Sequence, residues 1–171
     1  MGYDDAENLA IFQQRLEQLQ QRYTFGEAAM RLALEQAELA LAEGEVPVGA
    51  VVMAGRRVLA AAHNLPVNLR DPTAHAEILA IRDAAAQLGE YRLLDTSLFV
   101  TLEPCVMCIG AILNARIAEI YYGARDEKAG ALGSVYDIGR DGRLNHRVEV
   151  YGGILSTECG RVLSEFFQSR R

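Results

Sequence analysis

From Gly26 onward the sequence alternates between helix-patterned stretches and short apolar runs, and this alternation restricts the fold more than any other feature. Residues 27–43 are rich in Ala and Leu and read as a helix closed by Gly44. The run from Val46 to Met53 predicts a strand, Ala54-Gly55 a turn, and Val58 to His63 a second strand, so the two form a hairpin. Pro66 and Pro72 mark Asn64 to Pro72 as a loop. Thr73 is positioned to cap a helix running to about Leu88, with Gly89 after it. Ser97 to Leu102 predicts a strand, Pro104 opens a helix through Ala115, and Ile117 to Tyr122 predicts a further strand. Residues 123–146 carry five glycines and read as a long loop with one helical turn near Ser134. Arg147 to Tyr151 predicts a last strand and Thr157 to Ser169 a last helix. Strands linked by helices imply an α/β fold in which a mixed sheet is covered on both faces. No internal repeat or second globular domain is expected.

Residues 1–24 stand apart as an N-terminal extension, with the domain proper at 25–171. Leu9, Phe12, Leu16, Leu19 and Tyr23 recur at three- and four-residue steps, the stripe of a helix that packs on its own domain, with a partner-binding helix or a partly disordered arm as the alternatives. No apolar run approaches the ~18 residues of a membrane span. The first residues lack the basic-then-apolar pattern of a secretory leader. The three cysteines, Cys105, Cys108 and Cys159, are too few and too odd in number for a disulfide framework. A cytoplasmic protein with free thiols is expected. The net charge of −6 weighs against a nucleic-acid partner, because phosphate contacts need Lys and Arg. It does not decide the matter, since the 17 basic residues could gather on one face.

Two short segments carry the chemistry: His75-Ala76-Glu77 and Glu103-Pro104-Cys105-Val106-Met107-Cys108. Cys105 and Cys108 lie three apart at a helix start, so both thiols can face one point. The positive end of the helix dipole favours thiolates there. A helix also begins near His75, so two helix N-termini can converge on one metal. Zinc suits two thiolates and one imidazole, which together neutralise its charge. With three protein ligands the fourth position would hold water, whose pKa zinc lowers to about 7. Deamination of an aromatic amine also needs protons at a ring nitrogen and at the leaving amine. Glu77, two residues from His75, is placed to shuttle them. The competing reading is a closed structural zinc completed by His63 or His146. Cys159 reads as a small buried apolar residue.

The His-x-Glu and Pro-Cys-x-x-Cys pair, about 30 residues apart, is the signature of the zinc deaminases. The chain resembles the cytidine deaminase-like superfamily, and within it the bacterial tRNA-specific adenosine deaminases. The likeness runs from about Phe25 to Arg171. It includes Glu45-Val46-Pro47-Val48-Gly49-Ala50, His63-Asn64, Asp71-Pro72-Thr73-Ala74-His75-Ala76-Glu77, Gly123-Ala124-Arg125-Asp126, Asn145-His146-Arg147-Val148 and Glu165-Phe166-Phe167. The resemblance implies a three-layer α-β-α sandwich with a mixed five-stranded sheet, one zinc per subunit and a homodimer. It implies hydrolytic conversion of adenosine to inosine at the wobble position of an arginine tRNA anticodon loop. His75, Cys105 and Cys108 would hold the metal and Glu77 would move protons. Asn64 would bond the flipped purine, Val46 would wall the pocket, and Asp126 would touch the nucleotide. Phe166, with the basic tail Arg170-Arg171, would lie near the RNA; Phe166 and Phe167 also read as core, so at most one of them faces it. A free-base or nucleotide deaminase acting on guanine or cytosine is the alternative within the superfamily. A zinc-stabilised RNA-binding module is the non-enzymatic one.

Overall fold

The computed structural model describes residues 5–170. Helices α1 (Asp5–Gln20) and α2 (Phe25–Ala42) lead into a hairpin of β1 (Gly49–Ala54) and β2 (Arg57–His63). There follow α3 (Pro66–Leu69), α4 (Ala76–Leu88), β3 (Thr96–Leu102), α5 (Val106–Ala115), β4 (Glu119–Ala124), β5 (Glu149–Gly152) and α6 (Ser156–Gln168). The strands make one five-stranded sheet in the order β2-β1-β3-β4-β5. β1 runs antiparallel to both β2 and β3, whereas β3, β4 and β5 are mutually parallel, so the sheet is mixed.

Alternation along the central strands divides the core in two. Val51, Met53 and Phe99 point toward α1, α2 and α6. Ala50, Val52, Leu98 and Val100 point toward α4 and α5. The result is the three-layer α-β-α sandwich. Register then decides where a site can form. Gly49 lies opposite His63, Ala50 opposite Val100, and Leu102 opposite Ala124. The start of β1 and the ends of β2, β3 and β4 therefore share one edge of the sheet, the edge where open α/β sheets hold ligands.

The apolar stripe of α1 is buried: Leu16 and Leu19 are core, with Leu9, Phe12 and Tyr23 packed around them. Gln13 also bonds the backbone of the sheet's edge, donating Nε2 to Arg56 O at 3.3 Å and accepting from Val58 N at 3.0 Å. That edge would otherwise be open to pairing with another strand. Thr24 and Glu27 form a reciprocal capping box at the start of α2. Among the described residues no helix is long and apolar enough to cross a membrane.

Several boundaries differ from those expected, each for a local reason. β1 begins at Gly49 rather than Val46, because Val48 N turns back to Val46 O at 2.8 Å around Pro47, which has no ladder donor. The helix assigned to Thr73 starts instead after His75, its N-cap, while Thr73 bonds Asp71 Oδ1 through both N and Oγ1. Pro104 precedes α5, whose N-cap is Cys105. The loop 64–72 contains the short α3, opened by Pro66. No helical turn forms at Ser134; a Leu132–Asp137 bridge stands there.

Candidate active site

His75 and Cys105 are N-caps of α4 and α5, both in extended conformation, and neither uses its side chain to cap. At α4 the role passes to Asn64, just past the end of β2, whose Oδ1 accepts from Ala76 N at 2.8 Å. The imidazole of His75 is thereby left free. Its Nδ1 stands 3.8 Å from Cys105 Sγ and 3.5 Å from Cys108 Sγ, and the two sulfurs are 3.7 Å apart. These three donor atoms all lie within 4.8 Å of one another and could hold a metal ion. Among the described residues no fourth His, Cys, Asp or Glu donor joins them. The two histidines of the competing closed-site reading are engaged elsewhere. His63 faces Gln36 and Glu43, and His146 Nε2 is 2.7 Å from Ile117 O.

Beside the triad lies a cavity of about 210 Å³ lined by Val46, Val48, Asn64, His75, Glu77, Cys105 and Asp126, among others. Glu77, on the first turn of α4, is 4% exposed and lines the cavity, as does a second buried acid, Glu103. Burial pushes its carboxyl above the ordinary range, against the pull of neighbouring His75. The hydrogen bond from Cys108 pulls the Cys105 thiol down to about 4, with His75 adding to the effect. Cys108 is driven up by that same sharing and by burial. His75 is raised, first by its bond to Cys105 and then by the charge of Glu77, with burial opposing. The sharing favours a thiolate at Cys105, and the N-termini of α4 and α5, the positive ends of their dipoles, begin at the triad.

Asn64 is 7% exposed; its Oδ1 is used, and Nδ2 has no hydrogen-bond partner among the described residues. Asp126 follows the end of β4. Its Oδ1 accepts from Lys128 N and Ala129 N, closing a tight turn at the cavity wall. Phe166 is not brought to the cavity. It is 4% exposed beneath the Arg170 guanidinium, whereas Phe167 is 52% exposed. Arg170 also bonds Gly44 O at 2.6 Å, two residues before Val46, and Arg171 lies outside the described residues. Cys159 is buried away from the triad, under β4. Glu103, for which sequence reasoning finds no role, is 2% exposed and binds the loop after β4. Its only sequence signal is its place next to Pro104-Cys105.

Residues 24–171 match the MafB19-like deaminase family. The tRNA-specific adenosine deaminase of Haemophilus influenzae is 50% identical over 151 residues, covering 88% of this chain and 87% of that protein. The chain belongs to the tRNA-specific adenosine deaminase family. Among solved structures, a tRNA:A34 deaminase that performs A-to-I editing at the wobble position of transfer RNA is 44% identical, with a TM-score of 0.77. That alignment covers 79% of this chain and 98% of the other. The guanine deaminase from Nitrosomonas europaea is more distant, at 28% identity and TM-score 0.69, covering 82% and 83% of the two chains. The family thus shares its architecture with a guanine deaminase.

Proposed function

We propose that the protein converts adenosine to inosine at the wobble position of a tRNA, with an arginine tRNA anticodon loop as substrate. His75, Cys105 and Cys108 hold zinc in this reading, and Glu77 moves the protons. The observation that carries it is the three-donor triangle left open toward a cavity lined by the buried Glu77. Zinc bonds of about 2.3 Å to sulfur and about 2.05 Å to nitrogen give tetrahedral edges of about 3.8 Å (S–S) and about 3.6 Å (S–N). The separations of 3.7, 3.8 and 3.5 Å fit that ion. When bound there, zinc supplies an acidified water as nucleophile.

The chain's own groups supply the rest. Glu77 accepts one proton of the attacking water and delivers it to the purine ring nitrogen as C6 is attacked, then takes the second from the new C6 hydroxyl and passes it to the amine as ammonia leaves. Its raised carboxyl suits both directions of transfer. Asn64 Nδ2 is the free donor for the base edge, and Val46 packs on its face. Asp126 faces the nucleotide at the rim. On α6, Phe166 sits under Arg170 and the exposed Phe167 is the ring left for the RNA. An anticodon loop presents unstacked bases, so extrusion costs only a few kcal/mol. The cavity takes one base, and the rest of the RNA remains outside. A homodimer fits the α4/α5 face, where Ile81, Ala85, Ala111 and Ala115 line a groove beside the exposed Tyr91. The reading places the protein with its substrate in the cytoplasm.

The test is incubation with an arginine tRNA anticodon stem-loop, with free guanine and free cytosine in parallel, and nucleoside analysis of the products. Inosine at the wobble position is expected. Deamination of a free base without inosine in the RNA would replace this reading with the free-base one.

A further inference from the structure

Glu103 occupies the connection between β3 and the Cys105 turn, yet its carboxylate is spent on a different segment. Oε1 accepts from Leu132 N at 2.9 Å and from Ser134 N at 3.1 Å. Oε2 accepts from Asp126 N at 3.1 Å and from Ser134 Oγ. Four donors thus converge on one buried acid from a stretch without regular structure. The surrounding backbone reinforces the clamp. Cys105 and Gly130 form an isolated bridge, and Ala131 N donates to Pro104 O at 2.9 Å. Gly130 sits so close that an added Cβ would lie 2.5 Å from Glu103 Cδ and 2.6 Å from Asp126 O.

Chemistry restricts the residue that can do this. Three of the four donors are backbone N–H groups, which cannot become acceptors, and they are divided between the two oxygens. An amide in either orientation would turn its NH₂ toward at least one of them. A carboxylate alone offers acceptor sites on both sides, and burying it without such partners would be costly. The group so held contains Asp126 and Ala129, both on the cavity wall.

We propose that Glu103 is a positioning residue for substrate capture, clamping the 125–134 loop to the turn that carries Cys105 and so fixing Asp126 at the cavity rim. This rests on the deaminase reading above. Glu103 lines the same cavity as His75, Glu77 and Cys105, but the hydrogen bonds of its carboxylate all go to Asp126, Leu132 and Ser134 and none to the metal donors or Glu77, so it acts on binding of the nucleotide.

The experiment compares Glu103→Gln, Asp126→Ala and the double variant in the zinc-loaded protein, by steady-state deamination of the stem-loop, metal content per chain and amide exchange over 126–134. Glu103→Gln is expected to raise KM about 10- to 100-fold, with kcat and bound zinc retained. Asp126→Ala is expected to raise KM comparably, and the double variant to add nothing further, because one change acts through the other. Exchange of the 126–134 amides should quicken in Glu103→Gln. Ser134→Ala, which removes one of the four bonds, gives a smaller KM rise and guards against a misfolded first variant. Additive effects, a fall in kcat at constant KM, loss of zinc, or unchanged exchange would each overturn the proposal. Absence of inosine with the unaltered protein would instead refute the substrate reading, and the exchange measurement would still decide whether the clamp exists.

Discussion

Gly49→Ala should cripple the fold at one atom. Gly49 opens β1 where the strand meets the side of α2. A Cβ there would lie 2.0 Å from Ala33 O, 2.6 Å from Ala37 N and 2.7 Å from Gln36 Cβ. The first two are backbone atoms of a helix whose surrounding residues Ala33, Ala37 and Ala40 are fully buried, so no side chain can swing aside. Relief requires α2 and β1 to part by roughly an ångström, beyond the small adjustments a packed core absorbs. Overpacking of this kind costs about 3 kcal/mol or more. For a chain of this length each kcal/mol moves the melting midpoint by about 2–4 °C, so a fall of about 6–12 °C is expected. Separation would also weaken the Gly49 N to Thr101 Oγ1 bond of 3.1 Å and shift the Val46–Val48 wall of the cavity. The assay is thermal unfolding followed by circular dichroism, with Gly26→Ala as control. Gly26 lies in α2, and its nearest outside atom is Ile154 Cδ1 at 3.9 Å, so alanine fits and the midpoint should hold or rise slightly. A Gly49→Ala midpoint within about 2 °C of the parent, under one kcal/mol by the same conversion, would show that the α2–β1 approach is not this close.

Two further outcomes follow from the site. Glu77→Gln keeps the shape but not the proton transfer, and turnover should fall about 10²- to 10⁴-fold, or about 3–5 kcal/mol in the barrier, with zinc content by mass spectrometry unchanged; activity within tenfold of the parent would remove Glu77 from the mechanism. Burial pushes the Cys159 thiol up to about 12, so at pH 8 about one in ten thousand is thiolate. After chelation, alkylation and peptide mapping should find Cys105 modified first and Cys159 spared until the chain unfolds, and equal rates would contradict this. The same shift has a stability consequence: the unfolded thiol ionises from its ordinary 9.0 while the folded one stays protonated, so its contribution declines as pH rises from 9 toward 12.

What could be read in the sequence was what short spacing encodes. His75 and Glu77, or Cys105 and Cys108, meet because two or three residues at a helix start leave little geometric choice, and the helix and strand order follows from periodicity. The misplaced boundaries cluster at the site because His75 and Cys105 replace ordinary caps and release their side chains toward the metal position. The role of Glu103 was not legible, since its partners lie 23–31 residues away in a loop without periodicity. Gly49 looked like an ordinary strand glycine, and nothing in its neighbours announces the helix 2.0 Å from its missing Cβ. The choice between Phe166 and Phe167 depended on the docking angle of α6, which only tertiary packing sets.

The net charge of −6, an argument against RNA when taken over the whole chain, changes meaning once it is placed. Residues 1–45 hold nine of the 23 acidic residues and three of the 17 basic ones, which accounts for the entire excess. The described part of that stretch is α1, α2 and their ends, which together with α6 cover one face of the sheet. Residues 46–171 balance at 14 of each sign, and two of those acids, Glu77 and Glu103, are buried at the site. Setting those two aside leaves 12 acids against 14 bases in the sequence of 46–171, and the loop after β4 sets Arg125, Lys128, Arg140 and Arg143 against Asp126, Glu127, Asp137 and Asp141, with three of the arginines ion-paired within it. Phosphate contacts are short-ranged at physiological salt, where screening acts over about 8 Å, so the local balance governs RNA binding more than the total. An acidic pair of helices and a charge-balanced remainder can then coexist in one chain, so the total of −6 does not by itself argue against RNA at the cavity.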